Sequence, residues 1–193
     1  DFAEARTVLA QAQAAAERAT NRRIAASAQL LRMRVRLYSA EPGDWSDETL
    51  RIADSAIPLF ESEGAHSELA RAWRLIGLVH GSAARYGQST YAVSRSMVHA
   101  RLAGDERLIS RNAMGLSIST LLGPTPVLEA IARCERMIAD GLSDRQAQSK
   151  IICCLAQLHA MNADFDQARA LCRRGRGLLR ELGQGVSAAS TGI

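Results

Sequence analysis

The sequence predicts an all-α fold: a right-handed α-solenoid of antiparallel helix pairs, about nine helices in all. Three observations point there. Trp73, Ile76, Gly77 and His80 recur at i, i+3, i+4 and i+7, one stripe of a helix. Ile152, Leu155, Ala156 and His159 repeat that spacing, and Met114, Ile118 and Leu121 follow it more loosely. The composition agrees, since the 47% apolar share is mostly Ala and Leu, aromatics are 4%, and there are four prolines in 193 residues.

Taken in order, Asp1 caps a first helix over 3–19 with Ala5, Leu9, Ala12 and Ala16 on its packed face. Thr20-Asn21 breaks and recaps the chain. The second helix, 22–39, turns Ile24, Ala28, Leu31, Val35 and Tyr38 inward. Glu41-Pro42-Gly43-Asp44 is a loop. Ser46 or Asp47 then caps a helix to about Glu63, with Leu50, Ala53, Ile57 and Phe60 packed and Pro58 inside it, kinking the helix or exposing its early turns. Ser67-Glu68 opens the Trp73 helix, which ends near Arg85. Tyr86-Gly87-Gln88 turns into a helix over 89–103, with Ser89, Val93 and Ser96 inward. The next runs from 106 to 122. Gly123-Pro124-Thr125-Pro126 is a stiff connection to a helix ending near Asp140, whose stripe is Ala130, Cys134 and Met137. Asp144 caps a helix to Met161, and Asp164 lies in the turn before the last, 165–182. Residues 1–182 therefore form the solenoid, and 183–193, rich in Gly, Ser and Ala, a flexible tail. The chain opens at Asp1 already inside a helical pattern, which reads as a piece of a longer protein.

The stripe Trp73-Arg74-Leu75-Ile76-Gly77-Leu78-Val79-His80 resembles the opening signature of the tetratricopeptide repeat, with Ile and His in two of its positions. The small residues one turn into the second helices, Ala53, Ser89, Ala130 and Ala168, recur at longer and less regular intervals than the strict 34-residue repeat of that family. This makes the array degenerate. The stretches 123–135 and 160–169 further resemble the helical region of large bacterial signalling regulators. In these a P-loop ATPase accompanies such repeats, with an adenylate cyclase or helix-turn-helix domain elsewhere in the chain. The resemblance implies a regulatory scaffold. Ala163 and Gly175 depart from the repeat pattern, and together with Gly177 they imply a softer last pair.

Chemistry is sparse. Lys150 follows Ser149 inside a helix, so no Walker A loop is present. Cys134, Cys153, Cys154 and Cys172 have no zinc spacing and read as buried, reduced thiols of a cytosolic protein. His66, His80, His99 and His159 lack a carboxylate constellation, and His80 and His159 fall where the repeat carries a packed aromatic. The sequence thus implies no catalytic residue, metal or cofactor. No stretch reaches the ~20 apolar residues of a membrane span, and no signal peptide is present.

Binding remains. In a solenoid the first helices line the concave face. Arg71, Arg74 and Leu78 flank the Trp73 stripe; the matched positions are Asn112, Gly115 and Ser119, then Lys150, Cys153 and Gln157. Arg71, Arg74, Asn112, Lys150 and Gln157 form the candidate groove for a peptide carboxylate or acidic segment. Its partner is a protein, a peptide or a neighbouring domain of the same polypeptide. The alternative is a nucleic-acid-contacting regulator using an Arg-rich surface. Net charge is +4, and Arg173, Arg174, Arg176 and Arg180 form a local patch. That patch has no interleaved aromatics, which disfavours nucleic acid.

Overall fold

The computed structural model describes residues 2–39 and 45–183. The expected cap at Asp1, the loop at 41–44 and the tail beyond 183 lie outside the described residues. Among the described residues there are nine α-helices and no strand: α1 (Phe2–Arg18), α2 (Arg22–Tyr38), α3 (Trp45–Ser62), α4 (His66–Ser82), α5 (Tyr86–Leu102), α6 (Glu106–Leu122), α7 (Val127–Ala139), α8 (Arg145–Met161) and α9 (Phe165–Glu181). Each helix packs on the next in sequence. The even-numbered helices also touch one another, α2 on α4, α4 on α6 and α6 on α8, whereas no two odd-numbered helices meet.

A shared turn sets this spacing. After α1, α3, α4, α5 and α8, three residues connect to the next helix, and the middle one has positive φ: Thr20, Gly64, Ala84, Gly104 and Ala163. The amide after it bonds back to the helix, as Ala65 N to Phe60 O, Arg85 N to His80 O and Asp105 N to Ala100 O. This is the Schellman closure, which satisfies carbonyls the helix end leaves orphaned. Asn21, Asp105, Asp144 and Asp164 then cap the helices that follow, each accepting a backbone N–H.

Several sequence expectations shift. Tyr86 and Gly87 belong to α5, because the left-handed residue of that turn is Ala84 rather than the glycine. Ser46 and Asp47 lie inside α3, where Asp47 and Glu48 face the positive end of the helix dipole. The α3 helix continues through Pro58, which is exposed. In α2 the buried residues are Ala28, Leu30 and Met33, while Ile24 and Tyr38 are exposed. Lying between α1, α3 and α4, this helix cannot follow a single stripe.

The largest shift is in α6. There Ala113, Ser117 and Thr120 are buried, and Ile118 is exposed. The small residues take the packed positions and the large ones step about 100° round the helix. The same logic governs α4 against α5. A Cβ on Gly77 would sit 2.5 Å from Val93 Cγ2, and Ser89 Oγ donates to Gly77 O at 2.9 Å. Further along, Ser96 Oγ donates to Ala70 O at 2.6 Å. Gly175 serves α9 likewise: its Cβ would lie 2.8 Å from Cys153 Sγ, so the glycine expected to soften the last pair permits its close approach.

Gly77→Ala is expected to destabilise the fold by about 1–3 kcal/mol through overpacking, measured by urea unfolding. Adding Val93→Ala is expected to recover part of that loss, and strict additivity of the two would refute the close-contact explanation. Ala163→Gly removes a Cβ from the left-handed region and should stabilise by up to about 1 kcal/mol; a lower urea midpoint would contradict this.

Candidate functional site

The even-numbered helices frame a concavity of about 450 Å³. Its basic lining is Arg34 of α2, Arg71 and Arg74 of α4 and Arg111 of α6. Leu75, Leu78, Leu108 and Met114 supply apolar surface, with Phe2 and Tyr38 at the edge. Both aromatic rings are more than half exposed. Among the described residues no carboxylate lines the hollow. Glu68 shares a smaller hollow with Arg34 and Arg71; its Oε1 accepts from Arg23 at 2.7 Å, and its Oε2 is buried with no hydrogen-bond partner among the described residues.

The four arginines differ in what holds them. Arg74 Nη1 donates to Asn112 Oδ1 at 3.0 Å and to Arg111 O at 3.1 Å. Asn112 is fully buried and its Nδ2 donates to Ser96 Oγ at 2.8 Å. With the bond from Ser96 to Ala70 O, a continuous chain ties α4, α5 and α6 together behind the concavity. Burial is the largest influence on Arg74 and lowers its pKa; Arg111 and Arg34 push the same way and Tyr38 opposes them. The side chains of Arg34, Arg71 and Arg111 make no hydrogen bond or ion pair with any described residue. They are exposed and their donors are open to a ligand.

Of the candidates named from sequence, Arg71 and Arg74 meet in this concavity. Asn112 stands behind it, as the support of Arg74 rather than part of the lining. Lys150 is half-buried on α8, and Gln157 is exposed there with its amide turned back to Cys153 O; neither lines the hollow. The helix starts at His66 and Glu106 set α6 forty residues after α4, one fewer than matching Met114 to Trp73 gives. Arg71, Arg111 and Lys150 are each the sixth residue of their helices, so the basic ladder is Arg71–Arg111–Lys150. Gly64 and Gly104, forty apart and each just past a helix end, were the sequence signal for that register. Nothing in the local pattern marked Arg34, because it reaches the site through the packing of α2 on α4.

The histidines belong to the framework. His80 Nδ1 accepts from Arg85 Nε at 3.0 Å, and His159 Nδ1 lies 3.2 Å from Asp164 Oδ2. Each thus joins its helix to the cap residue five positions on. His66 and His99 stack, with their Nδ1 atoms 3.2 Å apart. Burial raises the thiol pKa of Cys153 and Cys154 and pushes Cys134 up to about 12, which suits packed thiols. Among the described residues no group of three or more His, Cys, Asp or Glu side chains is placed to hold a metal ion, and no helix is long and apolar enough to cross a membrane. Comparison with known proteins finds no matching family model and no matching curated protein.

His80 and His99 both have lowered pKa values, first from burial, then from Arg85 on His80 and from Arg95 and His66 on His99. The folded state therefore binds protons less readily than the unfolded chain, in which histidine titrates near ~6.5. The stabilisation is complete above that pH and is lost as pH falls below it. Urea midpoints are expected to fall between about pH 7 and pH 5. The slope is expected to flatten in His80→Gln/His99→Gln protein, and an unchanged slope would count against this assignment.

Proposed function

We propose that this chain is a non-catalytic interaction module: a right-handed solenoid of antiparallel, tetratricopeptide-like helix pairs whose inner face binds an acidic protein segment. The ordering of contacts between α4 and α5 supports antiparallel pairing, because as the α5 partner rises from Ser89 to Ser96 the α4 partner falls from Gly77 to Ala70. Contact among the even helices and its lack among the odd ones support a curved stack with the even helices inside. The stripes shared by α4 and α8 support the repeat reading, and with it the proposal that the module regulates an attached ATPase, cyclase or transcription output in a bacterial signalling protein.

The observation that carries the binding assignment is the concavity with four arginines and, among the described residues, no carboxylate. Like charges gathered this closely repel, and three of the four side chains have no partner among the described residues. An acidic segment supplies the missing charge. Guanidinium forks on Arg34, Arg71 and Arg111 suit carboxylates in two-point hydrogen bonds. Arg74, already held by Asn112, sets the local field. Leu75, Leu78, Leu108 and Met114 receive an apolar side chain between the charges. The bound segment selects one arrangement of the helices, and an attached domain responds to that choice.

A fluorescein-labelled peptide alternating Glu and Leu is expected to bind in anisotropy titrations, weakening as salt rises. Arg71→Glu/Arg111→Glu protein should lose at least tenfold in affinity, corresponding to about 1.4 kcal/mol. A Lys–Leu peptide of equal length should not bind. Equal affinity of wild type and variant for the acidic peptide would sink the assignment.

A further inference from the structure

A second basic surface lies apart from the concavity, on α9. Phe165, Arg169, Arg173, Arg176 and Arg180 follow one another at steps of three or four residues. At about 100° per residue they fall within an arc of about 80° on one side of the helix. The turn that starts α9 at Phe165 fixes the ring at the head of this row. Read along the sequence alone the patch held no aromatic; the helix supplies one. Phe165 is 56% exposed. With Arg169, Arg173 and Arg176 it lines a trough of about 290 Å³, together with Ala160, Ala168 and Cys172.

The charges of this row are largely uncompensated. Arg169 is paired with Asp166, and Glu181 turns away to Arg145. Arg173, Arg176 and Arg180 have no carboxylate partner among the described residues. The Nε of Arg176 is buried without an acceptor. A helix rise of 1.5 Å per residue spaces these residues by about 4.5–6 Å, so the row presents donors at intervals that a chain of phosphates can meet.

We propose that this face of α9 binds single-stranded nucleic acid, with phosphates on Arg173, Arg176 and Arg180 and a base stacked on Phe165. A row of guanidiniums alone would serve any polyanion. The aromatic ring beside it favours a strand with unstacked bases over a duplex, whose bases are not free to stack on protein, and over an acidic peptide, which has none. The site goes beyond the concave groove and is separate from it, since no residue of α9 lines that groove.

The test is a polarisation titration of a labelled, mixed-sequence single-stranded DNA of about 20 nucleotides with the full chain, repeated across salt concentrations. Binding at low salt is expected, with log K falling against log salt at a slope of about −2 for three phosphate contacts. Arg173→Ala and Arg180→Ala, both at exposed positions, should each reduce that slope by about 0.7. Phe165→Ala should weaken binding about tenfold and leave the slope unchanged. Arg71→Glu/Arg111→Glu should leave binding intact; if it abolishes binding, the strand lies in the groove and the assignment to α9 is wrong. No binding at low salt overturns the proposal. So does a slope unmoved by both arginine variants. Displacement by poly-glutamate at equal charge, with Phe165→Ala harmless, makes the partner an acidic protein and overturns it as well.

Discussion

Five times the chain passes from one helix to the next in three residues, with the middle one at positive φ. Much else in the structure follows from that constraint. The back-bonding amide closes the finished helix, and the capping residue opens the next. With helices of 17 residues, α4, α5 and α6 start at His66, Tyr86 and Glu106, an even step that carries each packed face into register with its neighbour. Where the connection is longer, before α7 and α8, the step changes, and α7 is shortened to 13 residues. His80 and His159 reinforce the same turns from the side, one accepting from arginine and the other meeting aspartate. The turn thus tolerates either polarity in its support, provided the side chain five residues on complements the ring.

Close helix approach and buried polar groups are linked through this packing. Small residues at Gly77, Ser89 and Ser96 let α4 and α5 come together. The serine hydroxyls would be costly if left unmatched, and each donates to a backbone carbonyl of α4. Asn112 completes that interior set and exports it, holding Arg74 at the floor of the concavity. The basic hollow is in this way built on the framework. One guanidinium is fixed by the core, and three stand in solvent with their donors unspent. That asymmetry separates a positioning residue from binding residues within a single cluster of like charge, and it explains why a fully buried asparagine bears on a surface site.

Much was legible in the sequence. The nine helices and most of their ends follow from periodicity, from Asn and Asp caps and from glycines past helix ends. Arg71 and Arg74 were placed beside the packed stripe by helical spacing alone. The position of Asn112 was not legible, because matching α6 to α4 by its large residues, Met114, Ile118 and Leu121, rotates that helix by one residue. The chain buries Ala113, Ser117 and Thr120 instead, since closely spaced helices admit small side chains at the contact. The burial of α2 departs from its apolar period for a related reason: a helix with neighbours on several sides has no single apolar stripe.

The sequence by itself determined the all-helical class, the order and length of the helices and the basic character of the chain. Those depend on neighbours within a few residues, where propensity, capping and period act. Tertiary structure decided which arginines share a site. Arg34, Arg71 and Arg111 come from three helices, and they meet because α2 packs on α4 and α4 on α6 in a register set by turns far from the charges. A rotation of one residue in any of these helices carries its arginine about 100° away, so the binding surface exists only once the packing has fixed every helix.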